Sequence, residues 1–400
     1  MSLWIDVTTA ASCPPPLVGI ARVESNLAEQ LCRLGRGVRT CVYEAGAGRF
    51  SELDASEFLR LMALNRSAGK ARGTVELDVQ RHDRTASGGA EIFDPGDAIV
   101  ACGFSWLPPF GNMGRLYALR NAMGLRVIGT CYDIIPLKFP HWVSGMDVAF
   151  RPYLRDMVRH ADHVLCISRW TQHDLCAWID ERGERMPAMS VMPMGCEFEA
   201  PADAGISERV AHLLERPFLL CVGTIEERKN HRVLCRAYAS LMAAGVRDLP
   251  TMVFVGGLGE GGPDLVAEVA ADERLASVVL FLSGVSDHEL TALYDACLFT
   301  LYPSLYEGWG LPVSESLGRG KLCLASDRAS LPEAGEEFAD YADAEDVEAW
   351  AHKIAHYLTH GAGLEARERA IRERFRPKRW VDAAEHVLAV AAGLAARKSG

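Results

Sequence analysis

The densest chemistry in the chain lies in Pro303-Ser-Leu-Tyr-Glu307-Gly308-Trp309-Gly310-Leu311-Pro312-Val-Ser-Glu315-Ser-Leu-Gly-Arg-Gly320. An apolar run precedes it, two glycines turn the chain, and a helix is expected from Pro312, where a missing N–H is tolerated at the first helical position. Gly320 suits the helix stop. The amides of Gly308, Trp309, Gly310 and Leu311 would then point out of a helix N-terminus, a ready site for phosphate. Glu307 and Glu315 stand on either side with seven residues between them. A carboxylate accepts two or more hydrogen bonds, which vicinal sugar hydroxyls can donate. One glutamate could hold a hexose and the other a ribose, with phosphates on the amides between. Taken singly, each could be an ordinary loop or helix-surface glutamate; the Gly-Trp-Gly-Leu-Pro setting favours a ligand site.

A second candidate is Cys221-Val-Gly223-Thr-Ile-Glu-Glu-Arg228-Lys229-Asn-His231. Arg228 offers a planar fork to phosphate and Lys229 a point charge. The motif follows an apolar run, at the strand end where doubly wound folds place ligands. By itself it would read as a charged surface turn.

Elements must carry these residues to one place. Short apolar runs alternate with amphipathic stretches, the pattern of parallel sheets wrapped by helices. In the first half the expected strands are residues 3–7, 38–43, 98–102, 125–131 and 163–167. In the second half they are 218–222, 251–255, 278–282, 297–302 and 321–325. Ile20, Val23, Leu27, Leu31 and Leu34 step along one helical face after the first strand. Ser286-Asp-His-Glu289 is a capping box opening another helix. Residues 44–93, rich in Ala, Gly, Arg, Ser and Asp, are expected to form a partly helical insertion with mobile loops. Residues 193–216 read as the interdomain linker.

The chain has 400 residues, more than one core supports, so two domains are expected. A net charge of −11 argues against nucleic acid as a partner. Twelve cysteines without a Cys-x-x-Cys read as reduced, mostly buried thiols of a cytoplasmic protein. The start of the chain carries no basic region of a secretory signal, and no apolar run is long enough to span a bilayer. No Asp-x-Asp and no zinc-spaced His/Cys cluster occurs, so no metal site is expected. The glycine run Gly256-Gly-Leu-Gly259 lacks the acidic residue a dinucleotide fold needs after its next strand, and no Gly-x-Ser-x-Gly elbow is present.

On these motifs the chain resembles family 4 of the glycosyltransferases. Glu307 and Glu315 match that family's Glu-x7-Glu donor signature, and Arg228-Lys229-Asn-His its diphosphate loop. Further matches are Ser330-Leu-Pro-Glu333, Val18-Gly19-Ile-Ala-Arg22-Val and Asp133-Ile-Ile-Pro-Leu. The resemblance implies an α/β GT-B fold, two facing Rossmann-like domains with a nucleotide sugar in the cleft. The divisions expected are an acceptor-side domain over 1–200, a donor-nucleotide domain over 201–375 and a helix over 376–400 crossing back to the first domain. The resemblance also implies transfer with retention of configuration and no catalytic metal or other cofactor. Carried over by position, Glu307 contacts the transferred sugar, Glu315 the ribose, and Arg228 and Lys229 neutralise the leaving diphosphate. Gly19 and Gly223 let backbone approach the phosphates. Thr224 stands where many members have a second basic residue. Tyr132-Asp133 replaces their His-Asp, leaving Asp133 either as a polar catalytic-site group or as a strand-end cap.

The resemblance is to bacterial mannosyltransferase-like members that build surface polysaccharide. It suggests GDP-mannose as donor, with UDP- and dTDP-sugars open, and a glycan or lipid-linked glycan as acceptor. Two other classes stay in play: a nucleotide-sugar binder without transfer activity, favoured by the missing histidine, and a nucleotide-sugar epimerase on the same frame. A cytoplasmic location is expected, with peripheral contact at the inner membrane face weighed for Arg376, Lys378 and Arg379. Three charges give marginal membrane binding, so a solvated turn is preferred there.

Overall fold

The structure is a computed structural model and describes residues 2–35, 37–67, 91–197 and 205–396. The chain divides into two compact units. One comprises Met1–Pro140, Ser144–Gly195 and Arg379–Gly400, the other His141–Val143 and Cys196–Lys378.

The first unit is built on seven strands: β1 (Leu3–Asp6), β2 (Val38–Glu44), β3 (Arg49–Leu53), β4 (Ala98–Ala101), β5 (Arg126–Cys131), β6 (His163–Cys166) and β7 (Met189–Val191). They lie in the order β3-β2-β1-β4-β5-β6-β7. Among the described residues only β2 and β3 pair antiparallel; the other pairings are parallel. Strands β1 and β4 are buried at every position, as a parallel sheet covered on both faces demands. The helix Gly19–Leu34 packs on β2 and buries Val23, Leu27, Ala28 and Leu31. Full burial of each of those leucines stabilises by about 1.5–3 kcal/mol. The final helix, Trp380–Ala396, packs on this helix.

The second unit has six strands: β8 (Phe218–Val222), β9 (Thr251–Val255), β10 (Val279–Leu282), β11 (Thr300–Tyr302), β12 (Cys323–Ser326) and β13 (Asp340–Ala342). The order is β10-β9-β8-β11-β12-β13, parallel throughout. Chain order reverses between β1 and β4 in one sheet and between β8 and β11 in the other. Such reversals open a crevice at the carboxyl ends of the two strands, where this class of sheet binds ligands.

The structure differs from the sequence expectation in definable places. Part of the expected 44–93 insertion is regular: β3 returns against β2, with an Arg39–Glu52 ion pair across the two strands. Phe50 meets Tyr43 at 5.1 Å and Phe93 at 5.5 Å. A helix follows at Ala55–Ser67; the remainder, 68–90, lies outside the described residues. The expected linker carries structure at its far end, where the helix Glu208–Leu214 buries Val210 and Leu213. The helix of the Glu307 motif begins at Leu311 rather than Pro312, with Gly310 as its N-cap. The capping box at Ser286 and Glu289 forms as read. All twelve cysteines are free, and nine are buried. Among the described residues no helix is long and apolar enough to cross a membrane.

Candidate functional site

Strands β8 and β11 are neighbours, so the loops leaving their carboxyl ends must meet. The loop after β8 carries Gly223 to His231; the loop after β11 carries Pro303 to Gly310. They are joined through backbone. The carbonyl of Arg228 accepts the Leu305 amide at 2.8 Å and the Ser304 hydroxyl at 3.2 Å. Asn230, in the left-handed region at φ 57°, donates its side-chain amide to the carbonyls of Pro303 at 3.2 Å and Ala344 at 2.7 Å. The asparagine of the Arg-Lys-Asn-His motif is therefore a tie between loops. Its histidine is core: His231 is 1% exposed, sits edge-on to Phe254 at 4.8 Å, and burial pulls its imidazole down to about 3.

This tie brings Arg228 and Lys229 onto Glu307. Arg228 Nη1 lies 2.8 Å from Glu307 Oε2. Lys229 Nζ donates to Glu307 Oε1 at 2.5 Å. Tyr302 OH sits between the two, accepting from Lys229 at 2.8 Å and donating to Glu307 at 2.9 Å. Ser304 Oγ donates to the same carboxylate oxygen at 2.5 Å. Arg228 also meets Glu226 at 2.7 Å and the Tyr306 carbonyl at 2.7 Å. The three charged side chains are 16%, 13% and 9% exposed for Arg228, Lys229 and Glu307. Burial raises the Glu307 carboxyl, but the Arg228 and Lys229 charges, with hydrogen bonds from Lys229 and Ser304, outweigh it and hold the group at about 2. Glu307 is thus ionised at neutral pH and wedged between two cations.

The helix Leu311–Gly318 starts three residues later. Gly310 caps it without a side-chain hydrogen bond, and the first-turn amides of a helix have no carbonyl partner within it. Gly310 stands at φ 115°, and a Cβ there would lie 2.5 Å from Leu331 Cδ2, so both conformation and space require glycine. Ser330 fixes the turn from the far side, its hydroxyl lying 2.9 Å from the Glu307 carbonyl and 2.7 Å from that of Trp309. Trp309 Nε1 donates to Ser314 Oγ at 3.1 Å. Gly223 stands at φ 153°, with Lys229 and Tyr302 at ordinary contact distance from where a Cβ would sit.

The structure thus gathers Gly223, Arg228, Lys229, Glu307, Gly308, Trp309, Gly310 and Leu311 at the switch point of the second sheet. Glu315 is placed otherwise. It is 4% exposed and accepts the Tyr294 hydroxyl at 2.9 Å, on the helix Asp287–Ala296. Gly19 and Asp133 belong to the first unit. Gly19 opens its helix at φ 53° with open space where a Cβ would project. Asp133 Oδ1 accepts the Ile135 amide at 2.8 Å, the strand-end cap foreseen beside its catalytic reading. Tyr132, where the resemblance led to a histidine being expected, turns its hydroxyl inward to the Cys102 carbonyl at 2.5 Å.

Tyr302 and Ser304 escaped sequence reading, and Ser330 was noted only within the Ser330-Leu-Pro-Glu333 match, with no role given to it. Each is an unremarkable residue of a strand end or loop, and only the adjacency of β8, β11 and β12 shows its purpose. The glycine run after β9 also gains a reason. A Cβ at Gly256 would lie 2.0 Å from the Gly223 carbonyl oxygen, and one at Gly262 2.4 Å from that of Ile225. The run lets the loop after β9 pack against the loop that carries Arg228.

Residues 206–375 match the family model described as "Glycosyl transferases group 1". Among curated relatives, the serotype-specific mannosyltransferase WbdA of Escherichia coli is 26% identical over 249 residues, covering 60% of this chain. This chain spans only 30% of that protein's length. The O-antigen chain mannosyltransferase B of Escherichia coli is 33% identical over 238 residues, 58% of this chain and 61% of that one. Among solved structures, HepE of Anabaena in complex with UDP and glucose superposes with a TM-score of 0.65 at 16% identity, covering 98% of this chain and 100% of that chain. The fold is accordingly GT-B: two Rossmann-like α/β units, each on a mainly parallel sheet.

Proposed function

We propose that the chain is a retaining glycosyltransferase that moves a hexose, by preference mannose, from a nucleoside diphosphate sugar to a glycan or lipid-linked glycan during surface polysaccharide synthesis. The observation that carries the reading is the Arg228–Glu307–Lys229 cluster at a helix N-terminus on the switch point of the second sheet. The group 1 match over the same residues and the two mannosyltransferase relatives support it. So does the UDP and glucose held by the structural neighbour.

In this reading the diphosphate lies against the amides of Gly308 to Leu311, where backbone dipoles favour negative charge. Arg228 and Lys229 stand against Glu307 and Glu226, a formally neutral set. The two cations face the charge that develops as the sugar–phosphate bond breaks and stabilise it without a metal. Glu307, ionised and held by four donors, keeps a fixed orientation and accepts hydrogen bonds from the hexose hydroxyls. Glu315, braced by Tyr294, is assigned to the ribose. The acceptor hydroxyl attacks on the face the leaving phosphate departs from, and that phosphate takes its proton. Asp133, half-buried just beyond β5, keeps its reading as a polar catalytic-site group. A cytoplasmic site of action completes the proposal, with Arg376, Lys378 and Arg379 read as a solvated basic turn.

One observation favours a binder without transfer activity: the Tyr132 hydroxyl is committed to Cys102 and cannot stand in for the family histidine. The experiment that separates the readings is incubation with GDP-mannose, UDP-glucose and dTDP-glucose, with and without glycan acceptors. Transfer predicts acceptor-dependent release of nucleoside diphosphate. A binder holds donor and releases none; an epimerase changes the sugar with no acceptor present.

A further inference from the structure

The switch point of the first sheet, between the ends of β1 and β4, is filled by the protein itself. Asp6 ends β1. Its Oδ1 accepts the Thr8 amide at 3.0 Å, and its other oxygen accepts the side-chain amide of Asn112. Glu24, on the helix Gly19–Leu34, reaches the same turn and accepts the Ala10 amide with Oε2. Thr8 Oγ1 accepts the Tyr43 amide at 2.8 Å, and Thr9 Oγ1 accepts the Phe104 amide at 2.8 Å. One turn, Thr8–Ala10, thereby joins β1, β2, the β4 exit and the Gly19–Leu34 helix. Glu24 is 0% exposed and Asp6 1%. Glu24 Oε1 has no hydrogen-bond partner. It lies 2.2 Å from the point a Cβ of residue 103 would occupy, as does Thr9 Oγ1. Gly103 therefore seals that oxygen beneath the backbone leaving β4.

A carboxylate with one oxygen unpaired and out of water is far costlier than a neutral acid in the same place. Among the described residues, the titratable groups coupled to Glu24 include Asp6 on β1, Cys13 beyond the turn, Cys41 on β2, Cys102 after β4 and Tyr132 after β5, and the charge acting on Glu24 itself is that of Asp6. We infer that Glu24 is a neutral carboxylic acid at physiological pH, its proton on Oε1, and that it serves as a positioning residue bracing the loops after β1 and β4. Burial and the Asp6 charge both push the Glu24 carboxyl up, and burial pushes Asp6 up as well.

The test compares urea unfolding of wild type and Glu24→Gln from pH 5 to 9. An acid protonated only in the folded state makes unfolding release one proton. The ratio of the wild-type to the variant unfolding constant should then rise about tenfold per pH unit, until Glu24 ionises in the folded state. Parallel curves would overturn the inference. A slope kept in Glu24→Gln but lost in Asp6→Asn would place the proton on Asp6 and overturn it equally. Should Glu24→Gln fail to fold, infrared spectroscopy of wild type and Asp6→Asn at pH 7 decides. A protonated carboxyl band kept in Asp6→Asn supports the inference, and absence of the band from wild type or its loss in Asp6→Asn refutes it. Neither readout requires transfer activity, so failure of every donor assay would leave this result standing.

Discussion

Lys229 Nζ and Glu307 Oε1 lie 2.5 Å apart at the end of β11, and Arg228 Nη1 lies 2.8 Å from the other oxygen of the same carboxylate. The group read as a sugar ligand and the groups read as diphosphate ligands are thus one unit. None can be removed without exposing the others' charge in a largely buried setting, and this governs what substitution will do.

Glu307→Ala leaves Lys229, 13% exposed, without its carboxylate and Arg228, 16% exposed, with Glu226 alone. Removing one member of a buried ion pair costs about 3–5 kcal/mol, so this variant should lose about that much stability in urea unfolding. Glu307→Gln, which keeps the hydrogen-bond acceptor, should lose less. Equal stability of all three proteins would show the cluster to be solvated.

Glu307 also predicts a pH dependence. Its carboxyl is lowered from 4.5 to about 2, so its ionised form is favoured by folding. The stability it contributes is full above pH 4.5 and is lost as pH falls towards 2. The stability difference between wild type and Glu307→Gln should stay level above pH 5 and shrink below 4.5. A difference that does not change down to pH 2.5 would contradict the assignment.

Tyr302→Phe removes a hydroxyl that both accepts from Lys229 and donates to Glu307 while leaving the ring in place. Hydrogen bonds to charged groups contribute about 1.5–3 kcal/mol. Turnover should fall at least tenfold with a smaller change in donor KM, because Glu307 loses its orientation and not its charge. Unchanged kcat would make Tyr302 a packing residue.

Gly310→Ala places a side chain at φ 115° and within 2.5 Å of Leu331 Cδ2. Backbone strain of that kind costs about 1–3 kcal/mol, and the helix start must shift. The melting temperature should drop and nucleoside diphosphate affinity should fall with it. Gly19→Ala meets only the backbone strain, since nothing lies within 4 Å of its Cβ position, and should be the milder of the two.

Much of this arrangement was legible in residue types. Strands β8 and β9 stand where continuous apolar runs place them, because strands buried on both faces leave little ambiguity. Glu307 was singled out by its Gly-Trp-Gly-Leu-Pro setting, and Arg228 and Lys229 by their place after a strand end and their motif match, although alone they read as a charged surface turn. Their direct contact was not legible, since it follows from β8 and β11 being neighbours although 77 residues separate Val222 from the start of β11 at Thr300. The edge strands β3, β7 and β13 were missed for a related reason. Arg-Phe-Ser-Glu-Leu and Asp-Tyr-Ala carry weak local preference and are strands only because a neighbour pairs with them. Glu24 was passed over because a helical glutamate is usually solvated, and its burial depends on Gly103 beneath a distant strand exit.

The most direct test of the central claim is titration calorimetry of GDP and UDP into wild type and into Lys229→Met, with circular dichroism showing both folded. The account predicts binding of at least one nucleotide by wild type and at least a hundredfold weaker binding by the variant. Equal affinity in the two proteins, or no nucleotide binding by either, would contradict it.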